Sequence, residues 1–318
     1  MNEAPLTAAV VICIAARERE PVLRQGIAAV LEARRTPEEI IVVVDRHPAL
    51  EADLARTLPA GVQVLCTEGQ GGNSAARNVG IAAARTDIVA FIDDDGVADA
   101  GWLEALMAAF EADDAVIGAG GRVVPRWDGD GSWLPDELLW VAGCTYAGHR
   151  ADAGPIRNPI GCNMAFRRTA LREIGGFATE FGKNGNAFAI CDETELCLRL
   201  AERFGEGRIV YVPAAEVLHH VSAARLATGQ LVRRALSEGL SKGRLHRRYR
   251  DRALAAETGY VRRLLLRTVP GLLARAAREG DRGAVRGALA VVITLGVTAV
   301  SFAYAVAAAT LRPRGVAA

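Results

Sequence analysis

The sequence has few aromatic residues, few lysines and no closely spaced pair of cysteines. Aromatic residues make up 5% of the 318 residues, and among 38 basic residues only Lys183 and Lys242 are lysines. Because the formal net charge is only +1, the chain as a whole has no electrostatic attraction for nucleic acid. A hydrophobic share of 51% and a charged share of 24% exclude a disordered or collagen-like chain. We therefore expect a globular core with any electrostatic function confined to one site.

The six cysteines are scattered without a C-x-x-C pair, which argues against a structural zinc site and against a disulfide framework. Small buried thiols are the simpler interpretation. The N-terminus has no basic stretch followed by a long apolar run, so no secretory signal is predicted.

One long uncharged segment lies near the C-terminus, at residues 288–311, with arginines on both sides. At about 1.5 Å per residue, a helix of this length can cross a hydrocarbon layer of about 30 Å. We predict a transmembrane helix with a short tail at residues 284–318, and a buried helix is the alternative. The preceding region, residues 251–283, has one apolar and one arginine-rich face and is predicted to lie in the membrane interface.

The distribution of arginine around the apolar segment predicts the orientation of the protein. More arginine precedes the segment than follows it, so the positive-inside rule puts the first domain, residues 1–250, on the cytoplasmic side of the cell membrane.

Apolar strand-like runs alternate with helical stretches between residues 8 and 121. This alternation is typical of an α/β fold with a mainly parallel sheet flanked by helices. Ligands bind such sheets beyond the carboxyl ends of the strands, here at residues 15–19, 45–47 and 93–96.

The second half of this domain contains a long irregular excursion at residues 125–159. Residues 163–172 and 195–203 are predicted to be helices, and residues 226–250 a long basic helix. The basic face of that helix fits either a solvated surface or an anionic lipid phosphate.

Three carboxylates, Asp93, Asp94 and Asp95, directly follow an apolar strand. Their mutual repulsion requires a counter-ion, and a divalent metal can supply it. Asp93 and Asp95 can face the same side, and their oxygens suit Mg²⁺ or Mn²⁺ holding a diphosphate. An acidic turn capping the next helix is the alternative. Upstream, a Gly-rich segment at residues 71–80 begins a helix that brings backbone N–H groups and Arg77 toward an anion.

The motif Ala76-Arg77-Asn78-x-Gly80, followed by a strand that ends in D-x-D, resembles the family 2 glycosyltransferases with the GT-A fold. The resemblance covers about residues 8–241 and includes the runs 158–168, 175–177 and 191–199. It implies a nucleotide-sugar donor, with Asp45 contacting the base and the D-x-D contacting ribose, metal and diphosphate. The donor-binding residues that it implies are Ala15, Arg17, Asp45, Arg77, Asp93 and Asp94, and the metal ligands are Asp93, Asp95 and His219.

The same resemblance assigns catalysis to Asp192 and Glu193, although the two acids are exchanged relative to the usual family order. It implies that Glu193 accepts the proton of an acceptor hydroxyl as that oxygen attacks the anomeric carbon with inversion. Asp192 is the alternative base. From the residues alone, the pair is equally explained as an acidic cap of the helix that follows.

The excursion lies where the family builds its acceptor site, so the resemblance implies acceptor contacts for Trp133, Trp140, Tyr146 and Asn163. The aromatic residues can stack on sugar rings, or they can simply pin the loop onto the sheet. This stretch also resembles a subgroup of lipid-linked sugar transferases, which implies a lipid-linked or cell-envelope glycan acceptor.

Two departures from the family pattern concern the nucleotide base. The first strand ends in Cys13-Ile14-Ala15-Ala16-Arg17 instead of an aromatic residue and an asparagine, and Asp45-Arg46-His47 replaces Asp-Gly-Ser. The base specificity is therefore left open. Two other functions also stay open at this point: a nucleotidyltransferase and an inactive GT-A membrane scaffold.

Overall fold

The computed structural model describes residues 5–69, 71–181, 190–253 and 257–310. Helices and strands alternate in the first half of the chain, and helices dominate the last third. The strands are β1 (Ala8–Ile14), β2 (Glu39–Val44), β3 (Val62–Cys66), β4 (Ile88–Asp93), β5 (Gly96–Ala98), β6 (Gly118–Trp127), β7 (Gly154–Pro155), β8 (Asn163–Arg167) and β9 (Ile209–Val221). The helices are α1 (Glu20–Leu31), α2 (Pro48–Thr57), α3 (Asn73–Ala83), α4 (Trp102–Ala112), α5 (Arg168–Glu173), α6 (Asp192–Phe204), α7 (Thr228–Tyr249), α8 (Glu257–Arg263), α9 (Val269–Glu279) and α10 (Arg282–Thr310).

These strands form one nine-stranded sheet in the described residues, in the order β3-β2-β1-β4-β8-β6-β9-β5, with β7 paired to β9. Strands β3, β2, β1 and β4 are mutually parallel, whereas β8 runs antiparallel to both of its neighbours. The sheet is therefore mixed and mainly parallel, as the sequence predicted.

The hydrophobic core lies on both faces of this sheet, because successive side chains of a strand point to opposite faces. On β1, Val10 and Ile12 belong to the cluster that contains Trp102 of α4, whereas Val11 belongs to the other cluster with Ala76 of α3. Helices cover both faces, so the central strands are apolar throughout. This arrangement leaves the carboxyl ends of the parallel strands as the place where polar side chains gather.

The predicted helix at residues 163–172 is wrong over its first half. Residues Asn163–Arg167 form strand β8, which pairs with β4 and β6, and the helix α5 begins only at Arg168. The apolar residues Met164 and Phe166 are fully buried between strands, so tertiary pairing overrides the local helical pattern.

The C-terminal helices contact the first half of the chain through the excursion. The indole Nε1 of Trp140 donates a hydrogen bond of 2.8 Å to the Tyr260 hydroxyl of α8. The guanidinium carbon of Arg286 in α10 lies 3.7 Å from the ring centroid of Trp133. These contacts hold α8 and α10 against the excursion.

Within the described residues, α10 is the one helix long and apolar enough to cross a membrane, over Arg282–Ala308 with a mean hydropathy of 2.2. Its packed side contacts the excursion at Val291 and contacts α7 from Thr298 to Ala305. Its other side exposes Leu289, Val300 and Tyr304. The helix thus lies along the excursion and α7 rather than projecting away from them. Residues 311–318 of the predicted span and tail lie outside the described residues.

Candidate active site

A cavity of about 1050 Å³ lies at the carboxyl ends of β1, β2 and β4. It brings together acids, cations and a histidine that are far apart in the sequence. The predicted site residues that line it are Ala15, Asp45, Arg77, Asp93, Asp94, Asp95, Asp192, Glu193 and His219. The three strand ends singled out by the sequence therefore meet in one place.

Asp45, at the end of β2, is tied to the loop that precedes α3. Its Oδ1 accepts hydrogen bonds from the backbone N–H of Gly72 at 2.9 Å and from the Thr67 hydroxyl at 3.0 Å. A Cβ at Gly71 would meet the same oxygen and the side chain of Arg46, so a larger residue there would displace these two side chains. The Gly-Gly sequence thus allows the backbone to hold Asp45 at the cavity wall.

Arg77 of α3 links two acids that come from different elements. Its Nη2 lies 3.1 Å from Oδ1 of Asp93 at the end of β4, and its Nη1 lies 2.9 Å from Oδ2 of Asp192 in α6. Its side chain is only 4% exposed. Burial would lower the pKa of Arg77, but Asp192 and Asp93 raise it above its usual range. The guanidinium is therefore a permanent cation that joins the two sides of the cavity.

Asp192 and Glu193 begin α6, directly after Cys191, whose φ of 74° is left-handed. Asp192 also accepts a hydrogen bond of 3.1 Å from the Ser74 hydroxyl. Burial, followed by the neighbouring charge of Asp192, raises the pKa of Glu193 to about 8. The two adjacent acids are thus unequal: Asp192 is held by Arg77 and Ser74, whereas Glu193 favours its protonated form.

Asp95 is held by two arginines. Its Oδ2 lies 2.6 Å from Nη1 of Arg19 and 2.9 Å from Nη2 of Arg225. The same nitrogen of Arg19 lies 2.7 Å from Oδ1 of Asp94. Burial raises the pKa of Asp94 to about 7. Burial acts in the same direction on Asp95, but His219, Arg225 and Arg19 hold its pKa below the usual range.

The sequence assigned the counter-ion of these acids to a metal, whereas the structure shows that Arg19 and Arg225 already provide part of it. Arg19 follows the end of β1, and Arg225 lies just before α7. Three adjacent acids predict that positive charge lies nearby. Because the sequence contains many arginines, this pattern does not identify Arg19 and Arg225 as the ones that pair with them.

A group suited to a metal ion is formed by Asp95, Cys162 and His219, whose ligand atoms all lie within 4.8 Å of one another. Oδ1 of Asp95 is buried and accepts no well-aligned hydrogen bond from the described residues, although Nε2 of His219 lies 3.0 Å away. Two ligands at right angles on an ion with bonds of about 2.1 Å are about 3.0 Å apart, so this spacing fits a shared cation. Burial raises the pKa of the Cys162 thiol well above its usual range, which makes it a poor ligand.

Asp93, the remaining predicted metal ligand, is not in this group of described residues and pairs with Arg77 instead. Both acids line the same cavity, and the role of Asp93 as a metal ligand stays a prediction. Strand β4 ends at Asp93, and Asp95 lies in the turn that follows, so the alternation of a strand no longer applies.

None of the four residues predicted to contact the acceptor is among the described residues that line the cavity. Trp133 and Trp140 pack against the C-terminal helices through Arg286 and Tyr260, as described above. Tyr146 also contacts Tyr260, with ring centroids 5.5 Å apart. These aromatic residues therefore hold the excursion against the C-terminal helices, whereas the alternative interpretation expected them to hold it against the sheet.

Asn163 is fully buried in β8. Its amide donates to the carbonyl oxygens of Arg122 at 2.9 Å and Ala215 at 2.8 Å, and its oxygen accepts from Nε1 of Trp102 at 2.8 Å. Every strong hydrogen-bonding group of the side chain is engaged inside the fold. Its position is structural rather than that of an acceptor ligand.

Arg17 was predicted to bind the donor, but it is also not among the described residues that line the cavity. Its side chain is 50% exposed, and Nη1 pairs with Oδ2 of Asp53 in α2 at 2.8 Å. The short helical turn at Arg17–Arg19 points Arg19, not Arg17, to the acids.

The remaining cavity wall is formed by α7, which contributes Gln230, Arg233, Arg234 and Ser237. The sequence predicted this helix and its basic character, and helix α7 is confirmed at Thr228–Tyr249. The residue pattern of α7 does not predict that this helix lines the cavity.

Comparison with known proteins links this site to one group of enzymes. The sequence model described as Glycosyl transferase family 2 matches residues 11–175, which include Asp45, Arg77 and the acids at 93–95. A glucosyl-dolichyl phosphate glucuronosyltransferase of Haloferax volcanii is 29% identical over 301 residues, which cover 93% of this chain and 94% of the relative. The succinoglycan biosynthesis protein ExoM of Rhizobium meliloti is 27% identical over 179 residues, covering 54% of this chain and 52% of that protein.

Solved structures show the same fold. The mannosyltransferase PcManGT from Pyrobaculum calidifontis, in complex with GDP-Man and Mn²⁺, superposes with a TM-score of 0.58 at 17% identity, covering 93% of this chain and 87% of that one. GalNAc-T7 with UDP, GalNAc and Mn²⁺ gives a TM-score of 0.53 at 17% identity, covering 75% and 48%.

Proposed function

The chain belongs to glycosyl transferase family 2 and is a glycosyltransferase with the GT-A fold; from that premise we propose an inverting, metal-dependent reaction. In it, a sugar moves from a nucleotide-sugar donor to a lipid-linked or cell-envelope glycan acceptor. The observation that supports this proposal is the shared cavity, which is lined by the strand-end acids, the Asp95–His219 pair and the Asp192–Glu193 pair together. The named activity of the Haloferax relative, which acts on a glucosyl-dolichyl phosphate, supports the lipid-linked acceptor.

In this proposal the donor lies along the strand ends. Asp45 accepts hydrogen bonds from the nucleoside, and Arg77 and Arg19 face the diphosphate while remaining paired with their acids. Ala15 leaves the space beside the base open, since it has no ring to stack on it. The carboxylates of Asp93 and Asp94 can accept hydrogen bonds from the ribose hydroxyls.

Asp95 and His219 would hold the divalent cation, and a carboxylate with an imidazole suits Mn²⁺ better than Mg²⁺. When bound, such a cation neutralises charge on the diphosphate that leaves. The two neighbouring arginines, Arg19 and Arg225, limit the repulsion between Asp94 and Asp95 before the donor arrives.

Glu193 is the proposed base. A general base works best when its pKa lies near the working pH, and the pKa of Glu193 is raised to about 8. Asp192 is a weaker candidate because Arg77 and Ser74 occupy one of its oxygens. We assign Asp192 a positioning role: its charge is compensated by Arg77, and its proximity raises the proton affinity of Glu193.

The decisive experiment is metal-dependent turnover of a panel of nucleotide sugars by the full chain. We expect release of nucleoside diphosphate with Mn²⁺, and a loss of at least about 100-fold in Asp95→Asn, since the cation then loses a charged ligand. The matched control is Asp128→Asn. Asp128 forms a similar aspartate–histidine pair with His220, at 2.6 Å, but neither residue is among the described residues that line the cavity. Release of pyrophosphate instead would indicate a nucleotidyltransferase, and no turnover with any donor would indicate an inactive scaffold.

We also propose that the protein is membrane-associated with its catalytic half on the cytoplasmic side. The apolar helix α10 and the lipid-linked substrate in the name of the Haloferax relative support membrane association. The larger number of arginines before the apolar segment than after it supports the orientation. Protease treatment of intact and of opened cells tests this orientation: digestion of the catalytic half in intact cells would contradict it.

A further inference from the structure

One wall of the cavity is a single helical face of α7. Gln230, Arg233, Arg234 and Ser237 are spaced by three or four residues, so they lie on the same side of the helix, and all four line the cavity. This face carries two arginines that the donor site described above does not use.

The contacts of α7 place this wall beside the proposed base. The backbone N–H of Ile190 donates to the Ser241 hydroxyl at 3.1 Å, and Sγ of Cys191 lies 3.8 Å from Oε2 of Glu238. Ile190 and Cys191 directly precede α6 and line the cavity with Glu193. The arginine face of α7 therefore borders the part of the cavity where an acceptor hydroxyl must approach the base.

The back of α7 packs against the apolar helix α10. A Cβ at Gly239 would lie 2.0 Å from the Ser301 hydroxyl oxygen, and a Cβ at Gly243 would lie 2.5 Å from the Cβ of Ala305. The Thr298 hydroxyl donates to the carbonyl of Ala235 at 3.2 Å. Small residues thus let the two helix backbones meet closely, so α7 separates the cavity from the helix that is apolar enough to enter a membrane.

One arginine of this wall, Arg234, is less completely paired than the arginines of the donor side. Asp93 and Asp192 pair with Arg77, and Asp95 with Arg19 and Arg225. The buried Nε of Arg234, in contrast, has no hydrogen-bond partner among the described residues. Glu238 lies near Arg234, but its Oε1 is already 3.0 Å from Nζ of Lys242. Lys242 therefore shares this acid with Arg234, and Nε of Arg234 keeps a hydrogen-bond donor that no described residue accepts.

We propose that Arg233 and Arg234, assisted by Gln230, bind the phosphate group that links the acceptor sugar to its lipid. Planar guanidinium groups bind phosphate oxygens through paired hydrogen bonds, and the amide of Gln230 adds a further donor. A phosphate held there lies near the base, which takes the proton of the sugar hydroxyl. Only the width of α7 separates this phosphate from α10, whose exposed side is apolar and offers a surface for the lipid chain. This inference rests on the proposed function, because it assumes a glycosyl acceptor that carries a lipid phosphate.

The test compares two acceptors that carry the same sugar and the same dodecyl chain. In one acceptor a phosphodiester links the sugar to the chain, and the other is the neutral dodecyl glycoside without phosphate. The variants are Arg233→Gln, Arg234→Gln and the double variant. The matched control is Arg247→Gln, an exposed arginine of the same helix that is not among the residues lining the cavity.

We expect KM for the phosphate-linked acceptor to rise about tenfold for each arginine lost, because each removes a charge-assisted hydrogen bond to phosphate. KM for the neutral glycoside, and KM for the donor, stay within about twofold of wild type. If Arg234→Gln lowers the melting temperature, Arg234→Lys is used in its place. We then expect a smaller rise in KM for the phosphate-linked acceptor, because lysine keeps the positive charge but lacks the paired N–H groups of the guanidinium.

Three outcomes overturn the inference. Equal rises of KM for both acceptors would mean that the arginines do not recognise phosphate. Unchanged KM values for both acceptors would mean that the arginine face of α7 is only a solvated surface. A rise in KM for the donor, with weaker inhibition by nucleoside diphosphate, would assign these arginines to the donor diphosphate.

Failure of the proposed function is recognised separately, because wild-type protein would then transfer sugar to neither acceptor. The phosphate site is still testable in that case through binding of dodecyl phosphate in non-ionic detergent, with dodecanol as the uncharged control. Wild-type protein should bind dodecyl phosphate at least tenfold more tightly than the double variant, and equal affinity would refute the site.

Discussion

Replacing Glu193 with glutamine tests the proposed base most directly, because the change keeps the shape of the side chain and removes its capacity to take a proton. General bases contribute about 10²- to 10⁴-fold to a rate, so we expect transfer to fall by that factor. Donor binding should remain, because the strand-end acids and Asp95 are untouched. Thermal stabilisation by nucleoside diphosphate with Mn²⁺ measures that binding separately.

The pH dependence gives a second, quantitative expectation. Only the ionised carboxylate accepts a proton, so activity appears as the pH rises through the pKa of Glu193, which burial and Asp192 raise to about 8. With that pKa about a tenth of the side chains are ionised at pH 7 and about nine-tenths at pH 9. The kcat/KM of the wild type should therefore rise about tenfold between these two pH values, and this rise should vanish in Glu193→Gln.

Asp192→Asn is the matched variant, because it removes the charge that helps to raise the pKa of Glu193. The acid limb of kcat/KM should then move to lower pH, whereas a base role for Asp192 would abolish transfer at every pH. Two results would refute Glu193 as the base: a transfer rate of Glu193→Gln within about threefold of wild type, or an unchanged rise of kcat/KM with pH in that variant.

Two further predictions concern the fold around the site. Asn163→Ala removes three buried hydrogen bonds, including the one from Trp102, and should lower the free energy of unfolding by about 3 kcal/mol in chemical denaturation. An unchanged stability together with a raised acceptor KM would instead restore Asn163 to the acceptor site. Gly239→Ala should destabilise the protein by about 1–3 kcal/mol because its Cβ meets Ser301, whereas Gly229→Ala, with open space around it, should be neutral or stabilising. Equal melting temperatures for these two variants would mean that α7 and α10 are not closely packed.

Much of the donor side followed from local sequence. Hydrophobic strands that end in acids need no tertiary information to be recognised, because the carboxyl ends of parallel strands meet at one edge. Asp45, Asp93 and Asp95 therefore appear at the cavity as expected, and helix α3, which follows the Gly-rich turn, brings Arg77 to Asp93.

The acceptor side did not follow in this way. Trp133, Trp140 and Tyr146 have the side chains that sugar sites use, but an aromatic ring serves equally well as a packing surface, and here the C-terminal helices cover them. Asn163 was placed in a helix by its local pattern, and strand pairing with β4 and β6 overrode that pattern.

The sequence by itself determined the family, the mainly parallel α/β sheet and the acids at its edge, because these features depend on short-range periodicity and on motifs of adjacent residues. Only the tertiary structure decided which of the many arginines neutralise those acids and which face of the basic helix borders the cavity. The physical reason is that charges act across space rather than along the chain. Arg19 and Arg225 reach the same carboxylate of Asp95 from segments separated by most of the domain.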